Sequence, residues 1–271
     1  MAEENCPICS TALAPFFRSA SFLILVCSNC GLGITKGASA QVSDYHRDDV
    51  YQIEEKLFSN IFEKRFNLIK KYLKEGSVLE IGCSTGLLLK FFKDANFKTL
   101  GIDISIKSLE VAKNRGINVS QVGIEELKTD QKFNLIILNH TLEHLENPIL
   151  VIKKATAMLN SKGLLLIAVP NFTGLSARIL KEKWPSLLPS EHLWHFTQKS
   201  LKLILEQSGL EILSNQTFSG VWDMEHPLSE LREALMGGKK RFFIEILTLI
   251  PDLLLSRLNL GSGIIAIAKK R

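Results

Sequence analysis

Three groups of residues in this 271-residue chain have the types and spacing to do chemistry. In Val78-Leu79-Glu80-Ile81-Gly82-Cys83-Ser84-Thr85-Gly86 an apolar run ends in a carboxylate and a glycine-bounded turn. A second apolar run, Thr99 to Ile102, ends in Asp103, about twenty residues after Gly82. Glycines let a backbone approach a ligand, and the later carboxylate accepts bonds from ribose hydroxyls, so the layout is that of a nucleotide-binding βαβ unit. The second group is Cys6, Cys9, Cys27 and Cys30, two C-x-x-C pairs with seventeen residues between them. That spacing presents four thiolates to one tetrahedral zinc ion, and an all-cysteine set leaves no open position for catalysis. The third group is His140, His144, His192 and His195, with Glu191 beside His192. Imidazole titrates near neutral pH, which suits it to carry a proton to or from a reacting group.

The glycine turn reads G-x-x-x-G rather than the G-x-G-x-x-G of a dinucleotide site. A pyrophosphate wants backbone N–H donors at a helix start and disfavours nearby negative charge. Glu80, two residues before Gly82, would repel it. A carboxylate there suits a nucleoside with a cationic end and no phosphate, and S-adenosylmethionine is such a ligand. The competing reading is an ordinary strand–turn–helix with a chance glutamate. Asp103 at the right distance weighs against it.

The elements that must hold these residues follow from periodicity. Strands near 77–82, 98–103, 117–122, 133–139 and 163–169 alternate with helices near 86–95, 105–115 and 147–160. Such alternation argues a parallel sheet with helices on both faces, and the parallel strand ends should gather the histidines. Leu201 to Ser208 reads as a further helix with Thr197 as a candidate N-cap. Glu211 to Phe218 and Ile264 to Lys269 read as two last strands. Phe16 to Val26 reads as a hairpin bringing the cysteine pairs together. Glu54 to Lys74 has helical spacing of apolar residues. The expected organisation is a zinc ribbon at 1–40, a linker and helical cap at 41–74, and an α/β domain at 75–271. Trp184 and Trp194 are candidates for the wall of an acceptor pocket.

Composition excludes some classes. With 46% hydrophobic and 23% charged residues the chain reads as a soluble globular protein, and a net charge of +5 is too small to imply nucleic acid. The start, MAEENCPIC, lacks an apolar export core, and no stretch has the uncharged length of a membrane span. Paired cysteines suit a reducing compartment, so a cytoplasmic location is expected. Residues 241–258 are strongly apolar around Pro251. They read either as short helices over the site or in a homodimer interface, or as a surface for a membrane or lipid-linked substrate.

As a set, Val78–Gly86, Gly101-Ile102-Asp103-Ile104-Ser105, Phe133–Pro148 and Gly163–Asn171 resemble the ordered motifs of class I S-adenosylmethionine-dependent methyltransferases, over roughly Glu75 to Leu213. The resemblance implies a Rossmann-like, seven-stranded, mostly parallel sheet whose last strand is antiparallel. It implies cofactor contacts at Glu80, Gly82, Cys83, Gly86, Asp103, Ile104, Ile124 and Asn139. Two positions depart from the family pattern: Ser84 stands where a third glycine is frequent, and Ile124 where an acidic residue is frequent. The ribbon, this core and an acid–histidine pair after the fifth strand together resemble zinc-ribbon sugar methyltransferases. That likeness implies a sugar or glycolipid acceptor facing Glu191 and His192, with Tyr45 and Tyr51 as further candidates. His144 and His195 complete the catalytic candidates. The alternatives are an RNA methyltransferase whose ribbon grips RNA, and a degenerate cofactor-binding scaffold. Asn5 to Thr35 holds one basic residue, Arg18, which disfavours the first. The presence of Glu80, Gly82, Gly86 and Asp103 disfavours the second.

Overall fold

The computed structural model describes residues 4–37, 55–218 and 256–271. In the first stretch β1 (Leu13–Arg18), β2 (Leu23–Cys27) and β3 (Gly33–Lys36) pair antiparallel in sequence order. Helix α1 (Glu55–Ile69) follows. Then β4 (Ser77–Ile81), α2 (Leu87–Asp94), β5 (Lys98–Asp103), α3 (Ile106–Asn114), β6 (Val119–Gln121), β7 (Phe133–Asn139), α4 (Pro148–Met158) and β8 (Leu159–Pro170) succeed one another. After α5 (Leu175–Leu180) come β9 (Trp194–His195), α6 (Gln198–Gln207), β10 (Leu210–Phe218) and β11 (Gly263–Lys270).

The main sheet has seven strands in the order β10-β11-β8-β7-β4-β5-β6. Strands β8, β7, β4, β5 and β6 are parallel, and β11 runs antiparallel to both β8 and β10. This is the expected Rossmann-like sheet. Its strands read as unbroken apolar runs because both faces are covered. In β7, Leu135 and Ile137 enter one core while Ile136 and Leu138 enter the other, as the two-residue period of a strand requires. Helix α1 packs on the core that holds Leu135 and Ile137 through Phe62 and Ile69, with Phe66 in edge contact with Phe92 of α2.

A smaller sheet, β1-β2-β3-β9, takes its fourth strand from the α/β part of the chain. Gly33 pairs with His195 and Ile34 with Trp194. A two-residue strand has no periodicity to read, so the sequence does not announce this junction. It is reinforced by the Thr197 hydroxyl on the Cys30 carbonyl at 2.7 Å, Lys199 on the Asn29 carbonyl at 2.7 Å, and Gln207 on the Ile8 carbonyl at 2.9 Å. Thr197 also caps α6 in a reciprocal capping box with Ser200. Among the described residues no helix is long and apolar enough to cross a membrane. Tyr45, Tyr51 and 241–255 lie outside the described residues.

Candidate functional site

The C-terminal ends of β4, β5 and β7 converge on one crevice, where the strand order reverses about β4. Gly82 and Gly86, which bound the turn after β4, have φ of +72° and +70°. A Cβ on Gly82 would lie 2.5 Å from the Thr141 hydroxyl, so the turn is closed to larger residues. Asp103 is fixed by two backbone donors: Oδ2 accepts from Ser84 N at 2.8 Å and Oδ1 from Ser105 N at 3.0 Å. Glu80 is 2% exposed, and its Oε2 has no hydrogen-bond partner among the described residues. Burial pushes its carboxyl well above the usual range, partly offset by the Arg65 guanidinium, with Asp103 adding to the rise. A cationic ligand end beside Glu80 would satisfy that orphaned oxygen. The Cys83 thiol is buried and pushed up by burial and by the Glu80 and Asp103 charges, so it is a neutral packing group. Ile104 is exposed at the tip of β5, where it offers an apolar face, whereas Ile124 is in the core.

Arg65, on α1, was not singled out by the sequence. It is buried, donates to the side-chain carbonyl of Asn139, and approaches His140 Nε2 at 3.4 Å. Its guanidinium also stacks over Phe62 and Phe218 at 5.7 and 5.5 Å. Because arginine only donates, His140 Nε2 accepts, and its Nδ1–H donates to Glu143 Oε1 at 3.3 Å. His140 holds φ of +53°, a conformation a histidine keeps only where its surroundings impose it, and such strain gathers at functional sites.

Beyond His140, Leu142–His144 form a 3-10 turn that lies against the segment after β8. Leu193 N donates to the Glu143 carbonyl and the Trp194 indole to the Leu145 carbonyl, both at 2.9 Å. His144 Nδ1 donates to the Glu191 carbonyl at 3.2 Å, and His192 Nδ1 to the Ser186 carbonyl at 2.9 Å. The two rings meet edge to face with centroids 4.6 Å apart. The carboxylate beside them is Glu143, 1% exposed; the Glu191 side chain is exposed to solvent. Burial would raise the Glu143 carboxyl, yet the hydrogen bond from His140 and the electrostatic influence of the His140, His144 and His192 rings hold it down to about 2.

His195 has a different setting. The Thr35 hydroxyl donates to the His192 carbonyl at 2.9 Å, so its 2.8 Å contact with His195 Nε2 has the ring as donor. Burial and the neighbouring His192 lower the His195 pKa to about 3, with Glu143 opposing. A ring neutral when folded but protonated when unfolded binds fewer protons in the native state. It therefore draws stability down as pH falls from the unfolded histidine value through about 3, by about 1.4 kcal/mol per unit in mid-window. Urea unfolding of the protein should be more pH-dependent between pH 7 and 5 than that of His195→Gln. Equal slopes would refute the assignment. Trp184 also departs from expectation: it packs in a core with Ile24, Ala177 and Leu187 rather than lining a pocket.

The four N-terminal cysteines converge. Cys6 and Cys30 sulfurs are 3.6 Å apart, Cys9 and Cys27 3.4 Å, and all four lie within 4.8 Å of one another. Zn–S bonds of about 2.3 Å at tetrahedral angles place sulfurs about 3.8 Å apart, so the set fits one zinc ion.

Comparison with known proteins decides the family. The profile of the methyltransferase domain family matches residues 52–215. The chain belongs to that family. Its core is a class I S-adenosylmethionine-dependent methyltransferase domain, and the profile takes in α1, which carries Arg65. Among curated relatives, the uncharacterized protein MJ1123 of Methanocaldococcus jannaschii is 32% identical over 124 residues, 45% of this chain and 58% of that one. The ubiquinone biosynthesis O-methyltransferase of Bordetella avium is 30% identical over 169 residues, 57% of this chain and 68% of that one. The chain spans about half the length of the first curated relatives it matches. A crystal structure of a SAM-dependent methyltransferase from Archaeoglobus fulgidus shares the fold, with a TM-score of 0.57 at 23% identity over 82% of this chain and 99% of that one. Within this family's loop, Ser84 takes φ of +45°, which is why a glycine is at home at its position.

Proposed function

We propose that the protein transfers a methyl group from S-adenosylmethionine to a small hydroxylated molecule, a sugar or glycolipid precursor, held between the β4–β7 strand ends and the segment Glu191–Thr197. The observation that carries this reading is the run Arg65–His140–Glu143 leading from the cofactor crevice to the His144 and His192 rings. Bound S-adenosylmethionine supplies an electrophilic methyl carbon. Glu80 faces its cationic end, Asp103 accepts from the ribose hydroxyls, Gly82 and Gly86 let the backbone come close to it, and Ile104 and Asn139, with the backbone at Cys83 and Ile124, complete the proposed contacts. Arg65 adds a buried positive charge suited to a carboxylate. At the acceptor end, the cluster of His192, His144 and Glu143 promotes loss of the proton from the attacking group. Glu143, rather than Glu191, is the carboxylate that balances their charge. His195 holds the small sheet in place.

Two further parts of the proposal are the structural zinc in residues 1–40, held by Cys6, Cys9, Cys27 and Cys30, and a separate cap before the domain that begins near residue 75. The small sheet carries few basic groups, which favours a small acceptor over RNA. Incubating the protein with isotopically labelled methyl donor and a cell extract, followed by mass spectrometry, tests the acceptor class. Label in small hydroxylated metabolites supports the reading; label only in RNA nucleosides overturns it.

The cofactor assignment has its own test. Asp103→Ala removes a charged acceptor and should cost about 1.5–3 kcal/mol, a roughly ten- to hundredfold loss of cofactor affinity. Calorimetry showing unchanged affinity would refute the role of Asp103.

A further inference from the structure

We propose that Glu143, His144 and His192 form a binding site for a divalent transition-metal ion such as Zn2+, Mn2+ or Fe2+, distinct from the cysteine cluster and open toward the acceptor. One ligand atom from each of the three residues lies within 4.8 Å of the others. Two imidazoles and a carboxylate suit these ions rather than magnesium or calcium, which prefer oxygen alone.

The atoms that do not face the ion are already tied down. His192 Nδ1 donates to the Ser186 carbonyl and His144 Nδ1 to the Glu191 carbonyl. Each neutral ring therefore carries its lone pair on Nε2, the tautomer a metal requires. Glu143 Oε1 accepts from His140, which is in turn held by Arg65. Metal-binding histidines and carboxylates are commonly fixed through the atom that does not ligate, and here all three are. Glu143 Oε2 is the remaining atom: it is buried, and no hydrogen-bond partner reaches it among the described residues. Leaving such an oxygen unsatisfied is costly, and a cation compensates it.

The backbone around the cluster is equally constrained. Leu193 N binds the Glu143 carbonyl, His192 N binds the Leu188 carbonyl, and Thr35 holds the His192 carbonyl. Three protein ligands leave coordination positions for water or for oxygens of the acceptor. His144 is half-buried, so the cluster is reached from solvent on that side. The inference rests on the proposed function only in placing the acceptor beside the ion; binding of the metal itself does not depend on it.

The test uses the full chain with its cysteine site loaded with zinc. Manganese is the first probe, because thiolates disfavour it. Titration followed by loss of the free-ion electron paramagnetic resonance signal should give one Mn2+ per chain, and zinc loading should raise zinc from one to two per chain. Glu143→Gln, which keeps the side-chain shape, and His144→Ala should each weaken this second binding at least about tenfold. Cofactor affinity measured on the same samples reports folding. Should Glu143→Gln lose it, His144→Ala at the half-buried ring decides alone. No manganese and no second zinc in the parent protein, or wild-type affinity in His144→Ala, overturns the inference. Metal binding without turnover of any hydroxylated acceptor retains the inference and removes the proposed function; turnover of a hydroxylated acceptor by a parent protein that binds no second metal does the reverse.

Discussion

His192→Ala should lower turnover by about 10²–10⁴-fold while cofactor affinity stays near that of the parent protein. The split is expected because His192 lies on the segment after β8, whereas the groups placed around the cofactor, Glu80, Gly82 and Asp103, lie at the ends of β4 and β5. Its ring nitrogen Nδ1 is committed to the Ser186 carbonyl, so whatever it does for the acceptor it does through Nε2, beside Glu143. Because His192 is buried, truncation leaves a cavity, and His192→Gln serves as the less disruptive companion. The carboxylate partner can be separated in the same assay. Glu143→Gln should lose more turnover than Glu191→Ala, since the Glu143 side chain is inside the cluster and that of Glu191 faces solvent. The reverse order would return Glu191 to the role its neighbouring position suggests. Full activity in His192→Ala would leave an acceptor that supplies its own nucleophile and an enzyme that acts by positioning.

The sheet was legible because parallel strands buried on both faces are short apolar runs with glycine or polar ends, and β4, β5 and β7 are of that kind. The cysteine set was legible because its spacing is local. What escaped was long-range. Arg65 sits on α1, a helix of 15 residues that precedes β4, in a stretch whose charges look like an ordinary solvated face. Only the packing of α1 turns it inward over Asn139 and His140. Glu143 was visible next to His144, but nothing local says that a loop glutamate is buried while Glu191, adjacent to His192, is exposed. Glu191 and His192 close a turn in which both backbone N–H groups donate to the Leu188 carbonyl, with Glu191 exposed and His192 buried, so adjacency in sequence does not make them a pair in space. The junction of β3 with β9 was hidden for the related reason that it joins residues about 160 positions apart through a two-residue ladder.

That junction makes the cysteine cluster matter to the chemistry. A double Cys27→Ser/Cys30→Ser change should abolish zinc binding at the cysteine site. It should also lower turnover sharply while cofactor binding persists. Structural zinc in small modules contributes on the order of 10 kcal/mol, comparable with the whole stability of a domain at about 5–15 kcal/mol, so the three-stranded part cannot hold its shape without the ion. Cys27 ends β2 and Cys30 precedes β3, so releasing the metal frees β3 from its register. β3 in turn supplies Gly33 and Ile34 to β9, and Thr35 to the His192 carbonyl and the His195 ring. Loss of these bonds unties the segment that carries His192, with Glu80, Asp103 and Gly82 untouched on the far side of the crevice. Metal analysis should find about one zinc per chain in protein purified without chelator and loaded at the cysteine site alone. Limited proteolysis should then cut within residues 4–37 of the double variant and spare the parent. A parent protein without zinc would remove the metal assignment. A variant without zinc at the cysteine site and with normal turnover would keep the metal assignment but deny that the small sheet braces the acceptor site.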